Sequence, residues 1–314
     1  MNTETKKSNG RLHRPIVTLL VLLLPQLLIA AFITWRGTDP NDYFLAIEDK
    51  HRLAASLNDQ PNLLLAGGSS VAWGSDSETY TEICGLPCVN LAINAGQGID
   101  YRFNEALKFS SPGDIIVLTL EYYELTSKPS GIISTRTFAQ VPSTIPLGRF
   151  PEFRSVFDSG IYEFLARRTR ATATAGSDGT RGLYAWQNFN EAGDFVGHHG
   201  RKPDGKDNWG LSMPSKTDRA FQKLKRFVQA AKAKDVEVYY RLPCVPKSLA
   251  EEKMDRLRKI EAEFKSVFQK RMLNELDETL LPDDSFFDTS YHLIESEKLR
   301  VTRKLANRLQ QKRE

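Results

Sequence analysis

The sequence predicts an α/β domain, a parallel sheet with helices in three layers, preceded by one transmembrane helix. Short apolar runs bounded by turn residues alternate with segments of helical periodicity from about residue 62 onward. Strands that alternate with helices indicate a parallel sheet with right-handed crossovers. Near the N-terminus, the 21 residues of 15–35 carry no charge, which is the length of a membrane-spanning helix.

The composition is that of an ordinary globular protein. Of the 314 residues, 40% are hydrophobic and 26% are charged, which excludes a disordered, collagenous or polytopic membrane chain. The formal net charge is +4, and residues 1–14 supply +3 of it. The remaining 4 − 3 = +1 gives the folded part no basic excess, so we expect no nucleic-acid partner.

Residues 15–35 are predicted to anchor the chain in a membrane. At 1.5 Å per residue the segment spans about 31 Å, the thickness of a hydrocarbon core. Basic residues precede it and acidic residues follow it, which places 1–14 in the cytoplasm as a tail and 36–314 outside the cytoplasm. A cleaved signal peptide is the alternative, but its apolar region is typically shorter, about 7–15 residues. Residues 36–61 are predicted to be a linker.

Five apolar runs are predicted to be buried strands, each bounded by turn residues. They are NLLLAG at 62–67, VNLAI at 89–93, DIIVLTL at 114–120, VEVYYRL at 236–242 and SFFD at 285–288. Helical periodicity marks 216–234, 248–277 and the C-terminal stretch. Residues 126–212 lack clear periodicity but contain several aromatic residues. We therefore expect an ordered insertion that serves as a lid or substrate wall.

Candidate catalytic residues follow the first and the last predicted strands. Ligands of such sheets bind beyond the carboxyl ends of the strands. Ser69 and Ser70 follow the first strand, where a hydroxyl would lie at a helix N-terminus, although a simple capping role is the alternative. Asp288 and His292 follow the last strand, and His292 is the one histidine of five expected at this edge. A serine together with an Asp/His pair indicates nucleophilic catalysis.

Three sequence blocks resemble those of the SGNH/GDSL hydrolase superfamily. The first is Gly67-Gly68-Ser69 leading to Gly74-Ser75-Asp76-Ser77, the second is Asn90-Leu91 with Gly96, and the third is Asp288 with Tyr291-His292-Leu293. More narrowly, the chain resembles the membrane-anchored, exported SGNH-like proteins of bacterial envelope and exopolysaccharide systems. The resemblance covers about 60–125 and 215–310, which predicts an SGNH-like domain at 62–312 with the insertion inside it.

The resemblance implies a flavodoxin-like fold and a serine esterase or O-acyltransferase without a cofactor. The family's spacing, five residues before Gly74, identifies Ser69 as the nucleophile, and Ser70 remains the alternative. His292 would be the base and Asp288 would orient it. The implied substrates are acylated, for example acetylated, cell-envelope polysaccharides or small esters. A polytopic membrane O-acyltransferase is the implied partner.

Two features depart from the superfamily pattern. One is the spacing from Asp288 to His292, which is one residue longer than the family's commoner Asp-x-x-His and includes Tyr291. The other is the block after the third strand. The superfamily places an oxyanion-binding Asn in Gly-x-Asn-Asp after the third strand, where this chain has Glu121-Tyr122-Tyr123-Glu124. We expect Gly96, Glu121 and Tyr122 to contribute to oxyanion or substrate binding. The missing Asn leaves a second hypothesis open, a catalytically inactive module that binds polysaccharide or an assembly partner.

Several other polar residues carry weaker signals. Asp194, His198 and His199 lie close in sequence, but such spacing in an unassigned loop is not typical of a metal site, so no metal is predicted. Arg241 is predicted to form a surface ion pair, and a position at the border of the cleft is the alternative.

The cysteines leave two interpretations open. Cys84 and Cys88 lie four residues apart in CGLPC, and Cys244 is left over. An oxidising compartment would permit a Cys84–Cys88 disulfide, whereas two unpaired buried thiols are equally compatible with the sequence.

Overall fold

The computed structural model describes residues 41–57, 60–126, 130–144, 182–203 and 210–314, and single positions between 17 and 31. The chain divides into two compact units. One contains residues 1–42 and 130–177, and the other contains residues 43–129 and 178–314. The first unit includes the helix Gly131–Gln140, on which Arg136 Nε donates to Asp42 Oδ2 at 2.7 Å. The second unit contains the sheets.

The second unit is built around a four-stranded parallel sheet. Its strands are β1 (Leu63–Ala66), β2 (Cys88–Asn90), β3 (Ile115–Leu118) and β4 (Glu237–Tyr240). They lie in the order β2-β1-β3-β4. Every residue of β1, β2 and β3 is buried, as expected of parallel strands covered on both faces. Four of the five predicted strands and the α/β class are therefore confirmed.

Helices connect the strands of the second unit, and the helix of residues 131–140 belongs to the first unit. In chain order they are α1 (Ala46–Ser56), α2 (Ser69–Ala72), α3 (Ser77–Cys84), α4 (Ile99–Phe109), α5 (Gly131–Gln140, in the first unit), α6 (Asp218–Ala233), α7 (Lys247–Glu251), α8 (Met254–Phe268) and α9 (Glu295–Arg313). Helices α4 and α6 contact each other, and α3 contacts α9. The predicted helix at 216–234 is α6, whose buried residues include Ala220, Leu224 and Phe227.

The predicted continuous helix at 248–277 is interrupted. It comprises α7 and α8, and it ends at Phe268, because Gln269 adopts a positive φ of 49°. The predicted apolar face is retained, since Leu257, Ile260 and Phe264 are buried in the core.

The predicted strand at 285–288 is wrong. Residues 286 and 293 instead form an antiparallel bridge, so this segment folds back on the residues that follow it. The chain beside β4 is Met272, paired with Tyr240 by an isolated bridge, and Asn274, whose amide binds both backbone groups of Leu242. A second small parallel sheet joins β5 (Val245–Pro246) and β6 (Leu280–Leu281). A four-residue apolar run does not distinguish these arrangements.

The predicted linker and the predicted insertion both differ from the structure. Residues 36–61, expected as a linker, contain α1, which belongs to the same unit as the sheet. The predicted anchor at 15–35 lies largely outside the described residues. Among those that are described, no helix is long and apolar enough to cross a membrane. The predicted insertion divides, because 130–177 belong to the first unit and 178–212 to the second.

Candidate active site

The candidate site lies where the strand order reverses, between β1 and β3. Ala66 of β1 pairs with Leu118 of β3, and Ser69 and Glu121 each follow three residues later. The carboxyl ends of strands at such a reversal form the usual ligand crevice of this architecture. The pairing register therefore brings these two side chains to the same edge of the sheet.

Gly68 permits the close approach of three segments at this edge. A Cβ at this position would lie 2.5 Å from Ala95 Cβ and 2.7 Å from Glu121 Oε1. Real Cβ atoms do not approach other atoms this closely, so a larger residue would displace the loop before α2 or the loop after β2. The Gly-Gly-Ser sequence is thus explained by packing.

Ser69 and Ser70 occupy the first positions of α2 and differ in accessibility. Ser69 is partly exposed, and its Oγ donates to Glu121 Oε1 at 3.2 Å. Ser70 is buried, its N–H donates to the same oxygen at 2.8 Å, and its hydroxyl has no partner among the described residues. As the first helical residue, Ser69 also has a backbone N–H without an intrahelical acceptor. Of the two serines, Ser69 is the one that a substrate could reach.

Asp288 and His292 form a hydrogen-bonded pair, as the sequence predicts. The distance from His292 Nδ1 to Asp288 Oδ1 is 2.7 Å, and the imidazole is almost fully buried. The other carboxylate oxygen, Oδ2, accepts a hydrogen bond from the hydroxyl of Tyr184. Burial alone would raise the pKa of Asp288, but the hydrogen bond and electrostatic interaction with His292, together with the hydrogen bond of Tyr184, outweigh it and lower that pKa. The carboxylate is therefore charged at neutral pH.

A backbone loop holds the pair together across its four-residue spacing. Phe287 N donates to the carbonyl of His292 at 2.7 Å, which closes the loop at its base. The intervening Tyr291 reaches the carboxyl edge of β3, where its hydroxyl accepts from Tyr122 N at 3.3 Å. Tyr291, directly before His292, thus fastens the loop to the sheet.

Trp73 connects the helix of Ser69 to the imidazole of His292. Trp73 is fully buried, and its backbone N–H donates to the carbonyl of Ser69 at 2.9 Å, one helical turn away. Its ring stacks on that of His292 with centroids 4.2 Å apart and an interplanar angle of 7°. Neither Trp73 nor Tyr184 was singled out as a site residue by the sequence, because an aromatic side chain has no spacing rule that marks it as part of a site.

The structure does not join Ser69 to His292 by a hydrogen bond. Among the described residues, the partner of the Ser69 hydroxyl is Glu121. The two halves of the predicted constellation therefore lie in separate hydrogen-bond networks. They are linked by the packing of Trp73.

Gly96, Tyr122 and Glu121, which were expected to bind an oxyanion or the substrate, lie in three different environments. Gly96 N donates to Asn94 Oδ1 at 2.8 Å, so its N–H is occupied. Tyr122 packs in the core, and burial raises the pKa of its phenol. Glu121 is buried, and its carboxylate accepts a hydrogen bond from the hydroxyl of Ser69.

A buried ion pair lies behind Glu121. Arg102 Nη1 pairs with Glu124 Oε1, and Glu124 Oε2 accepts from the N–H of Glu121 at 2.7 Å. The prediction of a surface ion pair for Arg241 is wrong. Arg241 is buried and donates to the carbonyls of Ser70 and of Gly74, both at 3.3 Å, and thereby caps the end of α2.

Asp194 has a structural role rather than a metal-binding one. It is fully buried, and its carboxylate accepts from Ser77 N at 2.7 Å, Ser77 Oγ at 2.9 Å and Asn90 Nδ2 at 2.8 Å. His198 packs among aromatic rings, with its centroid 4.9 Å from that of Trp73. Within the described part of the chain, no His, Cys, Asp or Glu cluster is suited to hold a metal ion.

The three cysteines are unpaired in the structure. Cys84 and Cys88 are buried and Cys244 is partly buried. Of the two interpretations left open by the sequence, the structure agrees with unpaired thiols at Cys84 and Cys88.

Comparison with known proteins assigns no family. The chain matches no protein-family model and no curated protein sequence.

Proposed function

We propose that the chain is an SGNH-like serine esterase or O-acyltransferase, anchored in the inner membrane and facing the periplasm. Its substrates would be acyl esters, acetyl esters among them, of cell-envelope polysaccharide, with a membrane O-acyltransferase as a partner. The observation that carries the proposal is the buried Asp288–His292 pair at the carboxyl edge of the sheet that also presents Ser69. The strand order 2-1-3-4 agrees with the first four strands of the flavodoxin-like order 2-1-3-4-5.

The proposed reaction uses the imidazole nitrogen of His292 that Asp288 does not bind. Asp288 occupies Nδ1 of His292, which leaves Nε2 to accept a proton. The Ser69 hydroxyl would leave Glu121, transfer its proton to Nε2 and form a bond to the ester carbonyl carbon. The backbone N–H of Ser69 is available to the resulting oxyanion. The alcohol would depart with the proton of His292, and water or a sugar hydroxyl would then accept the acyl group.

Catalysis is tested with a simple activated ester and matched variants. The exported part, residues 36–314, is expected to hydrolyse p-nitrophenyl acetate. Ser69→Ala and His292→Gln should each lower turnover by about 10³-fold or more if the serine-protease comparison applies, whereas Ser285→Ala should not. Equal activity of the wild type and Ser69→Ala would contradict the proposal.

The membrane anchor is supported by the apolar side chains of residues 15–35. Val17, Val21, Leu24 and Leu28 are all exposed and recur at helical spacing, and basic residues precede the segment. A C-terminal alkaline phosphatase fusion should be active and should sediment with membranes. An inactive fusion would contradict the orientation, and a soluble periplasmic form would contradict the anchor.

A non-catalytic binding module is the second candidate. It is favoured by two contacts, the donation of the Ser69 hydroxyl to Glu121 and the occupation of the Gly96 N–H by Asn94. In that case the purified protein would bind acetylated polysaccharide without releasing acetate, and His292→Gln would leave binding unchanged.

A further inference from the structure

The hydroxyl of Tyr184 completes the coordination of the Asp288 carboxylate. Asp288 Oδ1 is bound by His292 Nδ1, and Oδ2 accepts from Tyr184. A carboxylate that orients an imidazole is useful only while its own plane is fixed. We propose that Tyr184 is a positioning residue that fixes Asp288 and, through it, the ring of His292. This inference rests on the proposed function.

The ring of Tyr184 is itself held by aromatic neighbours. Its centroid lies 5.3 Å from that of Trp73, 5.8 Å from Tyr43 and 6.4 Å from Phe195. Although 40% of Tyr184 is exposed, these contacts constrain the direction of its hydroxyl. Offset aromatic contacts of this kind add specific geometry to the packing.

The segment that carries Tyr184 is fastened to the sheet by buried polar groups. Asp194 binds Ser77 and Asn90, as described above. Lys50 Nζ is buried and donates to the carbonyl of Gly193 and to that of Asn90. Buried, fully paired polar groups define a single arrangement of the chain. The hydroxyl of Tyr184 is thus presented by a fixed part of the fold.

Tyr184→Phe removes this hydroxyl and keeps the ring. A hydrogen bond to a charged group is the strong kind, so its loss should lower the rate of the chemical step about tenfold while KM changes less than twofold. Without the tyrosine hydroxyl, the negative charge of Asp288 is shared with fewer donors. We therefore expect the NMR signal of the Nδ1 proton of His292, which lies between the imidazole and this carboxylate, to change its chemical shift.

The chain contains a matched control. Tyr101 OH donates to Glu105 Oε1 at 2.9 Å, and the same carboxylate binds His51 Nε2 at 2.5 Å. This His–carboxylate–Tyr group lies on α1 and α4. None of its three residues is a proposed catalytic residue. Tyr101→Phe therefore removes a tyrosine–carboxylate bond of the same chemistry without touching the proposed site.

The experiment compares wild type, Tyr184→Phe and Tyr101→Phe in two measurements. The first is the kcat and KM of p-nitrophenyl acetate hydrolysis. The second is the NMR chemical shift of the imidazole of His292, assigned by its absence in His292→Gln. Tyr184→Phe should lower kcat and change this chemical shift, and Tyr101→Phe should do neither. An imidazole chemical shift unchanged by Tyr184→Phe would overturn the inference. If the wild type has no esterase activity, the proposed function fails, and the NMR chemical shift still decides whether Tyr184 positions the pair.

Discussion

The indole of Trp73 and the imidazole of His292 lie parallel, with centroids 4.2 Å apart. Trp73 is one helical turn from Ser69, and its backbone N–H donates to the Ser69 carbonyl. The ring of Trp73 therefore supports the residue proposed as base, and its backbone is part of the helical turn proposed to carry the nucleophile. The same indole also stacks on the ring of Phe195, with centroids 4.0 Å apart. Trp73 is therefore a centre of the site's packing.

Removal of the Trp73 indole should destabilise the protein. Trp73→Ala deletes a fully buried side chain and should lower the free energy of unfolding by about 3–5 kcal/mol. Trp186→Ala, at a partly exposed position, is the control and should cost distinctly less. Urea unfolding measures both. Equal losses in the two variants would show that Trp73 is not a packing centre.

The close approach at Gly68 should be relieved by a second substitution. Gly68→Ala places a Cβ 2.5 Å from Ala95 Cβ and should cost at least about 1–3 kcal/mol of stability through overpacking. Ala95→Gly removes one of the clashing atoms, so the double variant should regain part of the loss. Additive losses in the double variant, measured by thermal unfolding, would contradict the described geometry.

The Asp288 carboxylate should contribute a pH-dependent part of the stability. The pKa of Asp288 is lowered in the folded protein. The carboxylate therefore stabilises the fold above the usual pKa of aspartate, about 4. The contribution is lost as the pH falls through the lower folded-state pKa. Asp288→Asn should therefore lower the free energy of unfolding at pH 7 and have a smaller effect at pH 3.

The control for this pH dependence is Asp284→Asn, at an exposed position. It should have little effect at either pH. A constant difference between wild type and Asp288→Asn from pH 7 to pH 3 would contradict a lowered Asp288 pKa.

The three thiols should all be free. Burial raises the pKa of Cys88 and that of Cys244, the latter to about 11, so alkylation of the folded protein should be slow at pH 8. In denaturant without reductant, mass spectrometry should find three modified thiols per chain. One modified thiol would indicate a Cys84–Cys88 disulfide in the protein as isolated.

The sheet was predictable because its strands are compact apolar runs with turn residues at each end. The segment SFFD has the same appearance, yet residues 286 and 293 pair with each other. Four residues contain no signal that separates a sheet strand from one arm of a loop. The break of the long helix before Met254 was likewise hidden, because the apolar periodicity continues across it.

The site was predictable in part. The Asp288–His292 contact follows from local spacing, whereas the Ser69–Glu121 contact depends on the register of β1 against β3. Sequence alone does not fix that register. The role of Tyr184 depends on the path of the 182–203 segment, which buried polar contacts of Asp194 determine and periodicity does not.

The most direct test of the proposed function is covalent labelling of the nucleophile. The exported part is incubated with a fluorophosphonate probe, and the modified peptide is identified by mass spectrometry. We predict that the probe attaches to Ser69, that Ser69→Ala and His292→Gln abolish labelling, and that Ser75→Ala, at a buried serine nearby in the sequence, does not. Absence of labelling in the folded wild type, or labelling that persists in Ser69→Ala, would contradict the assignment of Ser69 as the nucleophile.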